Sequence, residues 1–287
     1  MDLSIITVTY QSKKFIEKCI LSILTNTLRI NYEHIIIDNA STDGTVGLIE
    51  TSYLPYVTLI KNSKNLGFAK ANQIGVEKAK GDFFLFLNPD IEIYEGYLDT
   101  LITFMKTRED IGVLGCKLLD FQHAQSIKLM PTKSPLPSLW FFYLLNLRTL
   151  YHPKNPWLNQ NFNMDIEQEV DCLRGAFMLI PRKIYELLGF CFDPAYFILM
   201  EDLDICQEVK RLGYKVFYNP QVHCIDFYGR SFFRTSSLWR YLQLSKSIQI
   251  YARKWYSPWH LLWIYPLRIL GIFIRLPSLL KTTKRSV

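Results

Sequence analysis

Phe83-Phe84-Leu85-Phe86-Leu87-Asn88-Pro89-Asp90 is the stretch on which the fold turns. Five apolar residues in a row, ended by turn formers, read as a short strand buried on both faces of a sheet. Proline cannot continue a central strand. Asp90 is therefore left at the strand's carboxyl end, where open α/β sheets bind their ligands. An aspartate after a strand is, by itself, more often a solvated loop residue than a functional one. Its company raises its interest: Met200-Glu201-Asp202-Leu203-Asp204 opens a helical pattern over a hundred residues downstream. One carboxylate site for a hard cation and another for proton abstraction suit a reaction in which a nucleotide diphosphate departs.

Working outward, strand and helix patterns alternate. Leu3-Ser4-Ile5-Ile6-Thr7-Val8-Thr9 reads as a strand, and Phe15, Cys19, Ile20, Ile23 and Leu24 fall at helical spacing. His34–Ile37 is a second strand, running into Asp38; Val46 and Ile49 mark a helix. Val57–Ile60 is a third strand and Ala69–Lys78 a third helix. Beyond the Phe83–Leu87 strand come a helix over about 95–107 and a strand at Gly112–Cys116. This alternation predicts right-handed βαβ units and a mainly parallel sheet flanked by helices. Regularity fails over about 120–168, where prolines 131, 135, 137, 153 and 156 surround Trp140-Phe141-Phe142-Tyr143-Leu144-Leu145. An aromatic run of this kind is expected to form a short helix that packs on the body or touches lipid. A strand at Gly175–Pro181, a helix at Glu201–Leu212, a strand at Lys215–Tyr218 and a helix over 238–256 follow.

The 287 residues suit a single α/β catalytic domain with an appendage. Charge divides them. After Asp226 there is no Asp or Glu but eleven Lys and Arg, leaving residues 1–226 with 22 basic against 26 acidic residues. A basic, Trp-rich tail on an acidic body points to an anionic membrane surface. With no zinc-finger, RNP-type or basic-zipper signature, nucleic acid is not an expected partner. The stretch Leu261–Leu276 is interrupted by Pro266, Arg268 and Arg275, which argues against a spanning helix and for an interfacial one. A helix pair packed back on the domain would give the same pattern. The six cysteines show no CxxC pair and mostly sit in apolar surroundings, as reduced core cysteines of a cytoplasmic protein would. The chain enters a strand pattern at once, without a secretory signal.

Two further stretches carry chemistry. In Asp38-Asn39-Ala40-Ser41-Thr42-Asp43-Gly44-Thr45 the hydroxyls and Asp43 can cap the next helix, while Asp38 at a strand end can accept the imide N–H of uracil or thymine. In Asn65-Leu66-Gly67-Phe68-Ala69 the glycine admits close backbone approach at a helix amino end, which favours phosphate. An ordinary glycine-containing helix entry would look much the same.

Taken in order, Ile5–Tyr10, Asp38–Asp43, Asn65–Ala69, Asn88-Pro89-Asp90, Gly175-Ala176 and Glu201–Asp204 resemble the family 2 glycosyltransferases, in particular their bacterial rhamnosyltransferase-like branch, over roughly residues 3–235. The resemblance implies a GT-A (Rossmann-like) domain over 1–235, with 236–287 a basic, aromatic, helical, membrane-associating tail. It implies that Thr9 and Asp38 hold the nucleobase, with Asn65 and Gly67 near the nucleoside. Asp90 would be the last residue of a degenerate DXD motif and reach an Mg²⁺ or Mn²⁺ bridging the diphosphate; Asn88 stands where that motif has its first aspartate. Asp202 would be the general base. His223, after Tyr218-Asn219-Pro220-Gln221-Val222, would be a metal or diphosphate ligand, although Asp226 could take that position because Gly229-Arg230-Ser231 comes late. The activity implied is inverting, metal-dependent transfer from a nucleotide sugar, dTDP-L-rhamnose being one candidate, to a lipid-linked saccharide. That would serve O-antigen, capsule or cell-wall synthesis at the cytoplasmic face of the cell membrane. A processive synthase is disfavoured, since the Gln-x-x-Arg-Trp signature is missing. A nucleotidyltransferase of similar sheet, or a non-catalytic membrane-bound scaffold, are the alternatives. The first lacks a Gly-rich basic loop after strand one, and the second leaves Asp90 and Asp202 unexplained.

Overall fold

The computed structural model describes residues 1–26, 29–120, 123–127, 137, 140, 162–227 and 237–281. In chain order the strands are β1 Leu3–Thr9, β2 Tyr32–Asp38, β3 Thr58–Lys61, β4 Phe83–Leu87, β5 Ile91–Glu92, β6 Ile111–Asp120, β7 His123–Ile127, β8 Gln168–Glu169, β9 Phe177–Pro181 and β10 Lys215–Asp226. The helices are α1 Lys13–Asn26, α2 Thr45–Ser52, α3 Phe68–Lys78, α4 Tyr97–Lys106, α5 Arg182–Leu188, α6 Glu201–Arg211, α7 Ser237–Trp255 and α8 Pro258–Lys281.

The strands form one sheet in the order β3-β2-β1-β4-β9-β6-β10-β5, with β7 on β6 and β8 on β10. The longest pairings, β6–β10 and β1–β2, are parallel, as are β2–β3 and β1–β4; β9 runs antiparallel between β4 and β6. The Phe83–Leu87 run is the middle of this sheet. Phe84, Leu85, Phe86 and Leu87 are buried, as a strand covered on both faces requires. Helix α3 lies directly on β1 and β2: a Cβ on Gly75 would come within 2.6 Å of Ile6 and 2.8 Å of Ile37. The second layer is a separate cluster of Ile16, Ile20, Ile36, Ile49, Tyr53 and Val57, joining α1, α2 and the β2 side of the sheet.

All parallel strands of the first half end on the side that carries Thr9, Asp38 and Asp90. Strand β10 is longer than the sequence pattern predicts. It continues past Pro220 through a register shift between Asn219 and His223, so Asp226 lies in the strand and not beyond it. The tail is anchored at its first helix. Ile248, Tyr251 and Ala252 of α7 and Ile264 of α8 belong to the main core. The two helices run antiparallel, tied by Arg268, which donates to Ser245 and Gln249. Trp140, from the aromatic run, is fully buried and donates its indole N–H to the Tyr256 hydroxyl at 2.8 Å. Residues 141–145, and Gly229-Arg230-Ser231, lie outside the described residues. Among the described residues no helix is long and apolar enough to cross a membrane.

Candidate active site

Parallel pairing of Thr9 with Asp38 brings the ends of β1 and β2 level. There the Thr9 hydroxyl donates to Asp38 Oδ1 at 2.9 Å, and the Ser41 N–H donates to Oδ2 at 2.8 Å. Both residues are buried. Two fixed donors leave the carboxylate rigid with lone pairs still available, which is what reading a base edge demands. The adjacent loops are strained. Gln11 (φ 57°) and Ala40 (φ 62°) are left-handed without being glycine, and among the described residues the only others are Leu199 and Met200. Leu199 and Met200 directly precede α6, and strain of this kind persists where surrounding structure enforces it, commonly at functional sites.

Asn39, which the sequence reading passed over, joins two of these loops. Its amide donates to the Gly67 carbonyl at 3.1 Å, while its Oδ1 accepts from Asn62 at 2.9 Å and from the Leu66 N–H at 3.4 Å. Asn65 turns back to accept the Gly67 N–H at 2.9 Å, shaping the loop. Gly67 has φ +87°, and an added Cβ would lie 2.4 Å from the Phe197 carbonyl oxygen. That close approach lets the Phe68 N–H donate to Phe197 at 2.6 Å and ties the α3 entry to the loop before α6.

Asp90 is buried, and its carbonyl accepts the Phe227 N–H at 3.0 Å; Asp226, also buried, pairs with Ile91 across β5–β10. Asp226 therefore faces Ile91, the residue that follows Asp90, at this end of the sheet. Arg174, which immediately precedes Gly175-Ala176, places its guanidinium 3.8 Å from Asp226. His223 is elsewhere. Strand alternation puts it on the opposite face of β10 from Asp226. Its ring packs against Tyr94 and Tyr97 at 5.2 and 5.1 Å, with the Tyr97 hydroxyl 3.2 Å from Nδ1. Burial, helped by Lys117, holds its pKa below the usual histidine value. Asp90 and Asp226 thus lie on adjoining backbone segments, while His223 sits in an aromatic pocket. Among the described residues no three His, Cys, Asp or Glu side chains converge as a metal cage. Two carboxylates fit Mg²⁺ or Mn²⁺ nonetheless, since such ions are commonly held by one or two carboxylates plus substrate phosphates.

Helix α6 begins with Glu201, Asp202 and Asp204 in its first turn and ends with Lys210 and Arg211, a charge order matched to the helix dipole. Asp202 accepts the Gly175 N–H at 3.2 Å and the Leu203 N–H at 2.9 Å. Burial raises its pKa against those N–H groups and Arg174, and burial raises that of Glu201 as well. Asp204 faces the other way. Its carboxylate takes Lys254 Nζ at 2.8 Å, the Trp255 indole N–H at 2.6 Å and the Tyr196 hydroxyl at 3.3 Å. Lys254 also reaches Asp193 at 3.2 Å and Glu208 at 2.8 Å. The end of α7 is thereby bound to the helix that carries Asp202.

Comparisons with known proteins identify the family and the fold. The model of glycosyl transferase family 2 matches residues 4–185. The chain is 27% identical over 280 residues to the Mycobacterium tuberculosis N-acetylglucosaminyl-diphospho-decaprenol L-rhamnosyltransferase, covering 93% of this chain and 88% of that protein. It is 27% identical over 201 residues to the Escherichia coli K12 rhamnosyltransferase WbbL, covering 66% of this chain and 71% of WbbL. The Pyrobaculum calidifontis mannosyltransferase PcManGT, solved with GDP-Man and Mn²⁺, superposes with a TM-score of 0.60 at 16% identity, covering 98% of this chain and 79% of that one. Staphylococcus aureus TarS gives a TM-score of 0.57 at 17% identity, and the chain spans 44% of its length. The structural likenesses establish the GT-A fold, and the match of the family model over residues 4–185 places the chain in glycosyl transferase family 2.

Proposed function

We propose that this glycosyltransferase moves a deoxyhexose or hexose from a nucleoside-diphosphate donor to a hydroxyl of a lipid-linked saccharide, with inversion, at the cytoplasmic face of the cell membrane. The carrying observation is a series of linked segments along one end of the sheet. It leads from Thr9–Asp38 through Asn39 to Gly67, across Phe197 to the loop before α6, from Asp202 to Gly175, and from Arg174 to Asp226, whose neighbour Phe227 donates its N–H to the Asp90 carbonyl.

On this reading Thr9 and Asp38 hold a uracil or thymine edge, and Asn65 shapes the Gly67 loop beside the nucleoside. Asp90, with Asp226 in preference to His223, would hold Mg²⁺ or Mn²⁺, which when bound offsets charge on the departing diphosphate. Arg174 adds a fixed positive charge beside it. The acceptor hydroxyl oxygen bonds to the anomeric carbon as the bond from that carbon to the phosphate oxygen breaks, the nucleoside diphosphate leaves, and Asp202 takes the hydroxyl proton. A single displacement inverts the anomeric centre. The names of the two rhamnosyltransferase relatives support rhamnose as the sugar moved, with dTDP-L-rhamnose the candidate donor, and the mycobacterial name supports a polyprenyl-diphosphate-linked N-acetylglucosamine as acceptor.

The test is product mass spectrometry with dTDP-rhamnose, UDP-GlcNAc and GDP-mannose against a polyprenyl-diphosphate-GlcNAc acceptor, with Mn²⁺ or with EDTA. One donor should give a glycosylated lipid that EDTA abolishes. Absence of product from every donor would refute the substrate class, and undiminished product in EDTA would refute the metal.

A further inference from the structure

Helix α8 shows its apolar side to solvent. Trp259 is 78% exposed, Leu262 67%, Ile269 62%, Leu270 48%, Phe273 68% and Ile274 45%. With Pro258 and Pro266, also exposed, these residues recur at steps of three and four and form one stripe. It runs opposite Ile264 and Gly271, the helix's buried residues. No polar residue interrupts it between 258 and 274 apart from those on its flanks. At 1.5 Å per residue the stripe is roughly 24 Å long. Scattered exposed hydrophobics need no explanation, but a contiguous stripe of this kind marks an interaction surface.

We infer that this stripe is a docking surface for the interfacial layer of an anionic lipid bilayer. The inference rests on the proposed lipid-linked acceptor and specifies where the enzyme meets it. Charge selects the occupant. The chain from 227 onward carries eleven Lys and Arg and no acid, so an anionic surface attracts it, whereas a second copy would bring an equally basic tail against it. Trp259 at the first turn and Arg253 at the neighbouring end of α7 are residue types that favour the headgroup level. Arg268, in the middle of α8, is turned inward to Ser245 and Gln249 and does not charge the stripe. The helix lies beside α7 and is not a spanning segment. Because Lys254 and Trp255 bind the end of α7 to Asp204, the stripe is held in fixed relation to the helix that carries Asp202.

The experiment uses the full chain and the double variant Ile269→Glu/Phe273→Glu, whose side chains are exposed and leave no cavity. Co-sedimentation is measured with phosphatidylcholine vesicles and with vesicles containing phosphatidylglycerol, at low and high salt. Wild type should sediment with the anionic vesicles and less so in high salt, and the variant should lose at least tenfold in partitioning with an unchanged melting temperature. If the double variant melts early, the single variants Leu262→Gln and Phe273→Gln take its place. Equal sedimentation of wild type and variants, or no wild-type binding to anionic vesicles, overturns the inference. So does a wild-type dimer in light scattering that the variant converts to monomer. Nucleotide binding, followed by titration of dTDP and UDP, separates the two readings: its absence would sink the glycosyl-transfer assignment and leave the vesicle result standing.

Discussion

Replacing Lys254 with methionine removes one ammonium from three carboxylates and keeps most of the side-chain volume. The structure gives the cost. Asp204 is fully buried, and Lys254 at 2.8 Å supplies the charge on its Oδ2, while Trp255 and Tyr196 donate to Oδ1. Taking one partner from a buried pair costs about 3–5 kcal/mol, because the other charge is left uncompensated. Asp204 has one escape, which is to bind a proton. Burial already raises its pKa above the usual carboxylate value even with Lys254 present, and without the ammonium the folded-state pKa rises further. A carboxylate whose folded pKa lies above its unfolded one penalises the fold above the unfolded pKa, and the penalty grows by about 1.4 kcal/mol per pH unit up to the folded pKa. Lowering the pH from 7.5 to 5 should therefore return part of the lost stability. In the wild type the other partners are quiet in this window. Lys254, its pKa raised by Asp204 and Glu208 against burial, contributes fully until pH passes its unfolded value. Glu208, held low by Lys254 and Arg211 despite burial, loses its contribution only below the ordinary glutamate range. At roughly 2–4 °C per kcal/mol for a domain of this size, Lys254→Met should melt about 8 °C below wild type at pH 7.5, and the gap should narrow at pH 5. Circular dichroism melts at both values measure it. A melting point within about 1 °C of wild type, or a gap that does not change with pH, would show that Asp204 is not the orphaned charge.

Asp202→Asn should lower the transfer rate by about 10²–10⁴-fold with donor affinity unchanged, since an amide fills the space but takes no proton; single-turnover kinetics and donor titration check the two halves. Asp90→Ala should abolish the enhancement of dTDP or UDP binding by Mn²⁺, read by calorimetry with and without the ion, and an equal enhancement in both proteins would move the metal away from Asp90. Gly67→Ala forces a side chain into φ +87° with its Cβ 2.4 Å from a backbone oxygen, so it should lose at least ~1–3 kcal/mol in urea denaturation and weaken nucleotide binding as the loop shifts.

How much of this was legible varies with the physics of each element. The limits of β4 agree with the sequence reading, Phe83–Leu87, because an unbroken apolar run can satisfy itself only between two helical layers. Strands β5 and β8, two residues each, exist through pairing with β10 and have no pattern of their own. Strand β10 reads as ending at Tyr218 because Pro220 breaks a ladder; the register shift at Asn219–His223 absorbs the proline, and so Asp226 reaches the sheet end beside Asp90. The positions of Asp38, Gly67, Asp90 and Asp202 could be read because each closes a strand or opens a helix. Asn39 and Arg174 could not, since their partners lie in loops or strands distant in sequence. Lys254 and Arg268 were hidden differently: within a run of eleven basic residues each looks like surface charge, and both turn inward.

The sequence Glu201-Asp202-Leu203-Asp204 offers three carboxylates in one helical turn, and composition alone does not say which would serve as base. Two residues along a helix is a rotation of about 200°, so Asp202 and Asp204 face opposite sides. A general base needs a lone pair directed at the acceptor and a proton affinity near working pH. Asp204 fails on the first count, because a lysine, an indole and a tyrosine occupy its oxygens on the side of α7. Asp202 accepts the Gly175 and Leu203 N–H groups beside Arg174, and burial raises its pKa. Glu201, buried with its pKa raised in the same surroundings, adds a like charge that favours a shared proton at this helix end. On the proposed reading Asp202 is the carboxylate that takes the proton, while Asp204 ties the helix that carries it to α7. Lys254→Met at the anchor and Asp202→Asn at the base should accordingly separate: the first lowers the melting temperature, the second the transfer rate at an unchanged one.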